Sequence, residues 1–367
     1  FTKAFIFGFL VFLKSMIKSL FFLITNDKFK SKLYFLRASG FFNAALNKSS
    51  WFRPRLDWFT YFKVIFIIMS KNKRKILITG GAGFVGTNLI KYLLKKTNLG
   101  IISLDNYSSG SKKNHIKNSR VKYIRGETKD IKKLIKAKYI HSVFHFGEFA
   151  RIYQSFLNLN DCMKSNFIGS NAVFNFCLKN KLKLIYSATS ASLGNKGKDK
   201  HLSPYAFSKA KNLEILENLK KYFGFKYEVI YFYNVYGPRQ ICSGDMATVI
   251  GIFEEQYKKG LPLTVVKPGS QTRRFTHISD TIKVCHFAWK QNKCRHYSIS
   301  DRKSYSILEV AKMFKTRISY LPKRDGERYA SALTNASFSN KVYKKFGKIY
   351  LKDYINSFIK FKRKLWK

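Results

Sequence analysis

From Lys75 onward two kinds of hydrophobic pattern alternate along the chain. Short runs rich in β-branched and aromatic residues, KILITG, GIISLD, VKYIRG and HSVFHF, predict strands. Between them lie stretches with apolar positions at helical spacing, FVGTNLIKYLLKK and KDIKKLIKA. The series continues with a helix near DCMKSNFIGSNAVFNFCLKN, a strand KLKLIYSAT, a helix from Tyr205 to about Phe223 and a strand YEVIYFYN. Strands alternating with helices predict an α/β fold, a doubly wound parallel sheet covered on both faces. Beyond Gly237 the alternation becomes irregular, and Pro238, Pro262, Pro268 and Pro322 punctuate shorter segments. Residues 69–236 are therefore read as mainly the wound domain and 237–367 as mainly a smaller lobe that closes over a substrate.

Residues 1–68 do not share this pattern. They are rich in Phe, hold only two acids, Asp27 and Asp57, and open with the apolar run AFIFGFLVFLKSMIKSLFFLIT. The run is long enough to span a bilayer. Lys14 and Lys18 near its middle would be costly there and suit an interfacial amphipathic helix better. The favoured reading is that this extension is not part of the native enzyme, because Met69 stands just before a basic lead-in and the first strand. Membrane contact is expected only if residues 1–68 are native, and otherwise the reading is cytoplasmic.

Composition narrows the classes further. At 367 residues the chain can bury a sizeable core. Its five cysteines, Cys162, Cys177, Cys242, Cys285 and Cys294, show neither CxxC spacing nor metal-ligand intervals with histidine, so neither a zinc site nor a disulfide framework is predicted. A formal net charge of +50 would attract polyanions. The lysines are nevertheless spread along the whole chain without an aromatic and basic recognition motif, so they read as a solvated surface and no nucleic acid is expected. His145 and His277 are assigned to packing and ordinary hydrogen bonding.

Chemistry enters at TGGAGFVG, Thr79 to Gly86, which lies directly between a strand and a helix. Gly80, Gly83 and Gly86 there permit a tight turn and close backbone approach, and the helix N-terminus beyond offers unpaired N–H groups to a pyrophosphate. Asp105 ends the next strand nineteen residues after Gly86, where a carboxylate can accept from both ribose hydroxyls and repel a 2′-phosphate. NAD is therefore expected rather than NADP, with Lys112 and Lys113 the local contrary charges. In SPYAFSK, Tyr205 and Lys209 project from one helical face as an acid–base pair. Moving a tyrosine from about 10 to about 7 takes roughly 4 kcal/mol, which two close cations in a dry pocket can supply.

A glycine turn, an acid after the second strand, a hydroxyl-rich strand end and YxxxK, in that order, resemble the extended short-chain dehydrogenase/reductase family with its Rossmann sheet. Within it the chain is most similar to NAD-dependent nucleotide-sugar epimerases of the UDP-glucose 4-epimerase type, from about Lys73 to the C-terminus. The resemblance implies that Thr189, in YSATSASLG, is the catalytic hydroxyl beside Tyr205 and Lys209. It places Phe84, Val85, Asn106, Glu127, Gly147 in HFGEFAR and Asn166 in NFIGS against the cofactor, together with Lys209. Asn234 in NVYGPRQ, Arg273 in RRFTHISD and Arg324 in KRDGER fall at substrate positions, the arginines as diphosphate clamps. Several positions depart from the family pattern: Gly126 and Glu127 for its GD, HFGE for its HLAA, Arg274 for the Asp of RDF and Tyr231 for an Arg, and the loop from Gly194 to Tyr205 is short.

The expected reaction is removal of the 4-OH proton of a nucleotide-diphosphate sugar by Tyr205, oxidation to a 4-keto sugar, rotation, and reduction on the other face. A homodimer and a role in supplying surface polysaccharide are family-level expectations. A dehydratase is disfavoured because Ser190 and Ala191 fill the positions where that group carries Asp and Glu, and a decarboxylase because Ala191 replaces its glutamate. A reductase, another positional epimerase, and a membrane-associated glycan-assembly component stay open. A pure cofactor-binding regulator would not need Thr189, Tyr205 and Lys209 together.

Overall fold

The strands form where the apolar runs predict them: β1 (Lys75–Thr79), β2 (Gly100–Asp105), β3 (Val121–Arg125), β4 (Ile140–His145), β5 (Lys183–Thr189) and β6 (Tyr227–Phe232). Shorter strands follow: β7 (Asn234–Tyr236), β8 (Leu263–Val266), β9 (Thr272–Arg273), β10 (Phe275–His277), β11 (His296–Ser298), β12 (Tyr305–Ser306) and β13 (Ile318–Leu321). Seven of them make one parallel sheet in the order β11-β6-β5-β4-β1-β2-β3. That is the doubly wound order with its reversal point between β1 and β4. The computed structural model describes residues 74–323 and 337–365, within the compact unit Asn72–Lys367. The apolar run of residues 1–68 lies outside the described residues. No helix among the described residues is long and apolar enough to cross a membrane.

Among the described residues, ten α-helices of five or more residues carry the rest: α1 (Phe84–Lys96), α2 (Ile152–Leu157), α3 (Leu159–Met163), α4 (Ser170–Lys179), α5 (Pro204–Phe223), α6 (Val249–Lys258), α7 (Ile278–Lys290), α8 (Ile307–Met313), α9 (Ser337–Phe346) and α10 (Leu351–Leu365). The sheet is covered on both sides because its side chains alternate between two apolar cores. Leu77, Val143, Leu184 and Val229 face one core with Val173 and Phe174 of α4 and Leu216 of α5. Their neighbours Ile76, Phe144, Ile185 and Ile230 face the other, against Leu89 and Leu93 of α1 and Ile282 and Cys285 of α7. Each such aliphatic side chain contributes roughly 1.5–3 kcal/mol on burial. A third core joins Phe253 of α6, Val265 of β8, Phe275, Phe314 and Ile355 of α10 in the smaller lobe.

Two features differ from the sequence pattern. The stretch KDIKKLIKA forms only one α-helical turn, Ile131–Leu134, flanked by 3-10 turns: Ile131 and Ile135 are buried, while Leu134 is exposed and four lysines fill most of the other positions. The lobe expected from residue 237 onward is interrupted: α7 packs against α1, and β11 pairs in parallel with β6 and completes the large sheet. That pairing joins His296 to Val229, a partnership no local periodicity encodes.

Helix α5 is built to hold its first turns firmly. Ser203 caps it by accepting from the Ala206 N–H at 3.1 Å, Pro204 supplies the first helical φ, and Gly224 ends it in the left-handed region at φ 63°. Between helices α3 and α4, Lys164–Gly169 forms a π-helical segment, which turns Asn166 fully inward.

Candidate active site

A cavity of about 1390 Å³ opens over the C-terminal ends of β1, β2, β4 and β5 and is closed on its far side by residues of α6, β8 and β9. It lies at the reversal point of the sheet, where strands on either side turn their connections in opposite directions. Of the predicted site residues, Gly80, Gly83, Phe84, Val85, Gly86, Asp105, Asn106, Glu127 and Gly147 line one end. Thr189, Tyr205, Lys209, Asn234 and Arg273 line the remainder. Arg324 lies outside the described residues.

The glycine turn has no room for side chains. Gly80 sits at φ +70°, and a Cβ there would stand 2.8 Å from the Gly147 nitrogen; a Cβ on Gly86 would stand 2.2 Å from the Gly80 carbonyl oxygen. Gly83 begins α1 without a side-chain cap, so the amides of the first turn are not taken by a side chain at the N-cap. Asp105, 6% exposed, accepts from the Ala82 N–H through Oδ2 and the Tyr107 N–H through Oδ1, both at 2.8 Å. Burial raises its carboxyl above the ordinary value and these backbone bonds oppose the rise. Each oxygen keeps a lone pair for a ribose hydroxyl, so the geometry fits a dinucleotide across the turn. Glu127 is held by Lys129 at 3.1 Å and Lys164 at 3.2 Å, and hydrogen bonds from these lysines lower its pKa. The Asn106 carboxamide accepts from the Ser108 N–H at 3.1 Å.

Thr189 ends β5 with its hydroxyl at the cavity floor, accepting from the Ala191 N–H at 3.2 Å and near enough to the Tyr205 phenol to lower its pKa. Burial pushes the Tyr205 phenol up to about 12; the bond from Thr189 and the positive charge of Arg151 pull it down, while Glu148 and Cys162 push it further up. Lys209 follows one turn later on α5, its ammonium donating to a Glu148 carboxylate oxygen and to the Ser187 carbonyl. Asn234, on β7, donates from Nδ2 to the Arg274 carbonyl at 3.0 Å. Arg273, on β9, is 8% exposed and donates from Nη1 to the Thr272 carbonyl at 2.8 Å.

Asn166 is not among the residues that line the cavity. It is fully buried behind the cavity wall rather than at its surface. Its side chain accepts from the Phe149 N–H at 2.7 Å and donates to the Phe149 carbonyl at 3.1 Å and to Ser208 Oγ at 3.0 Å. It holds the segment after β4 onto α5, because the π-helical turn points it inward. His145 is likewise buried, bonded to Thr79 Oγ1 at 2.7 Å and Ser170 Oγ at 3.0 Å, and burial drives its pKa down to about 4. It is a neutral packing histidine at any ordinary pH.

Residues 76–300 match the sequence profile of the NAD dependent epimerase/dehydratase family. The chain belongs to that family. NAD is the cofactor of that family, and the glycine turn and Asp105 fit it. Over 260 residues this family member is 28% identical to the ADP-L-glycero-D-manno-heptose-6-epimerase of Brachyspira hyodysenteriae, covering 65% of this chain and 80% of that protein. It is 27% identical to a putative UDP-glucose 4-epimerase of Methanocaldococcus jannaschii over 69% of this chain and 88% of that one. Its fold superposes on the UDP-glucose 4-epimerase of Thermotoga maritima, solved with UDP-glucose, with a TM-score of 0.69 and 25% identity, over 80% of this chain and all of that one.

The structure adds polar residues at the heart of this epimerase/dehydratase site that the motif reading did not assign. Glu148 has a side chain only 2% exposed and lies against Lys209. Tyr186 and Asn212 complete its surroundings at 2.9 and 3.2 Å. Arg151 lines the cavity and donates to the carbonyls of Ala150 and Met246. The available signal was an acid inside HFGE in a chain with only 20 acids, followed three residues later by an arginine.

Proposed function

We propose that this enzyme epimerises a nucleotide-diphosphate sugar, at C4, through a transient 4-keto sugar. The observation that carries the reading is that Thr189 at the end of β5, Tyr205, and Lys209 one helical turn further on line the same cavity as the glycine turn. A volume of about 1390 Å³ accommodates a dinucleotide and a nucleotide sugar together. Relatives named for UDP-glucose and ADP-heptose epimerases support the reaction class.

NAD, when bound, supplies the reversible two-electron acceptor for the sugar carbon. Tyr205 takes the hydroxyl proton from that carbon and later returns it. Thr189 aligns the sugar oxygen toward the phenol and shares the developing negative charge through its hydrogen bond. Lys209 directs its remaining N–H toward the cofactor ribose. Arg273, Arg324 and Asn234 grip the diphosphate and nucleotide end, so the sugar itself can turn between its two faces. Phe84, Val85, Asn106, Glu127 and Gly147 contact the cofactor along the cavity end where they stand. Ser190 and Ala191, which follow Thr189, carry no carboxyl for eliminating water, and this disfavours dehydration.

The active form is proposed to be a homodimer. Phe156, Leu157, Ile168 and Phe207 are 41%, 63%, 58% and 37% exposed on α2, the π segment and α5, elements that pack on one another. Apolar side chains of that size in one region mark an interaction surface.

The test uses the enzyme with its bound NAD, supplied with UDP-glucose, UDP-galactose and their N-acetyl forms, and follows the sugar by NMR. Interconversion at C4 is expected, falling at least about a thousandfold in Tyr205→Phe, the scale of losing a general base and its alignment. A dehydrated or stable 4-keto product, or a Tyr205→Phe variant at full rate, overturns the reading.

A further inference from the structure

The HLAA pattern of the resembling family places a small apolar residue where this chain has Glu148. A carboxylate buried to that depth needs several donors or a counter-charge, and Glu148 has both. Its Oε1 accepts from Ser170 Oγ at 2.8 Å, Tyr186 OH at 2.9 Å and Asn212 Nδ2 at 3.2 Å. Its Oε2 meets the Lys209 ammonium, which is itself only 4% exposed. Ser170 reaches His145 at 3.0 Å, and His145 reaches Thr79 at 2.7 Å, so the carboxylate is tied back to the end of β1 at the glycine turn.

We propose that Glu148 is a positioning residue for Lys209: three elements, α4, β5 and α5, hold its carboxylate, and it in turn fixes the ammonium at the ends of β4 and β5 and supplies its counter-charge. The proposal rests on the reading of Lys209 as the working lysine. Lys209 donates to Glu148 and to the Ser187 carbonyl, has Ser187 Oγ at 3.5 Å, and lines the cavity. Without the carboxylate, a lysine this deep would meet a carbonyl dipole and the Tyr186 ring at 4.7 Å, and nothing charged to balance it.

The titratable groups around the pair are His145 from β4, Arg151 from the segment after it, Cys162 from α3, Tyr186 from β5 and Tyr205 from α5. Burial lowers the Lys209 pKa and Glu148 opposes that fall. For Glu148, burial raises the pKa, but the Lys209 charge and the hydrogen bonds from Lys209 and Ser170 oppose it, the net direction is down, and the carboxyl stays ionised. The same negative charge opposes ionisation of Tyr205. Removing it therefore lets the lysine lose its proton at lower pH and lets the phenol ionise at lower pH. Both limbs of the rate profile move in the acid direction.

The experiment measures kcat/KM from pH 6 to 10 for wild type, Glu148→Gln, Glu148→Asp and Lys209→Met, together with retention of NAD. Glu148→Gln is expected to shift the whole bell toward acid by about one to three pH units, the usual effect of an adjacent opposite charge. Glu148→Asp keeps the charge and is expected to keep the position of the bell while lowering its height. A role in packing alone would lower the height in both variants and move neither. If Lys209→Met is inactive while Glu148→Gln keeps the wild-type bell, the role of Glu148 is overturned. If Lys209→Met is fully active, the reading of Lys209 itself fails. Should Glu148→Gln not fold, wild-type Lys209 labelled at Cε, its NMR signal assigned by loss in Lys209→Met, is expected to be an ammonium at pH 8. A neutral amine there overturns the proposal.

Discussion

Thr189→Val keeps the shape of the side chain and deletes the hydroxyl that lowers the Tyr205 pKa. Burial holds the Tyr205 phenol at about 12, so forming its phenolate at pH 7 costs about 7 kcal/mol, five pH units at ~1.36 kcal/mol each. The Thr189 bond is the largest of the effects that reduce that cost, ahead of Arg151. Hydrogen bonds to a charged group contribute roughly 1.5–3 kcal/mol. Losing one should lower kcat about 10- to 150-fold and raise the pKa of the base by about one to two units. Tyr205 works as a base only when deprotonated, so activity climbs with pH through its pKa, and a raised pKa moves that acid limb upward. The assay is kcat against pH with saturating UDP-glucose, alongside a thermal melt. Thr189 Oγ1 also accepts from Ala191, so a stability loss of about 1 kcal/mol is expected and must be separated from the kinetic effect. Thr189→Ser should restore most of the rate. An acid limb unmoved in Thr189→Val, with kcat down less than threefold, would refute the assignment of Thr189 as the group that stabilises the phenolate.

Three further outcomes are expected besides the loss of turnover in Tyr205→Phe. Gly86→Ala places a Cβ 2.2 Å from the Gly80 carbonyl oxygen and 2.6 Å from Gly81 Cα, both backbone, so the turn must shift; thermal unfolding should show a loss of about 1–3 kcal/mol, and NAD should wash out on gel filtration. Asp105→Asn points at least one amide N–H at a backbone donor, Ala82 or Tyr107, and removes the charge facing the ribose; calorimetry should find NAD affinity down about tenfold and the preference over NADP reduced. Ile168→Asp puts a carboxylate on a side chain that is 58% exposed, and light scattering should find the proposed dimer converted to monomer; an unchanged mass would remove that face as the interface.

Glu148 and Lys209 show where reading along the chain stops. Both residues stand in segments whose local structure is predictable, one just past a strand and one on the first turns of a helix. Their partnership spans 61 positions and depends on β4 lying beside β5 with α5 crossing above them. The same limit applies to Asn166, whose burial is set by a π-helical segment that no local pattern announces. Tyr231, which departs from the family arginine, is buried and meets His296 at 3.0 Å across the β6–β11 pair.

The sequence by itself determined the βα alternation from β1 to β6, the glycine turn and the phase of α5, whose local cap at Ser203 the structure shows. Those depend on local requirements: period 2 or 3.6 in the apolar positions, a φ that only glycine tolerates cheaply, and a hydroxyl placed to bond the third amide of a helix. Tertiary structure alone decided that the chain returns after the smaller lobe to add β11, that Asp105 ties its carboxylate to the turn ahead of it, and that a buried carboxylate meets the lysine. These are long-range pairings, selected because every buried donor, acceptor and charge must be satisfied at once. No segment contains that condition on its own.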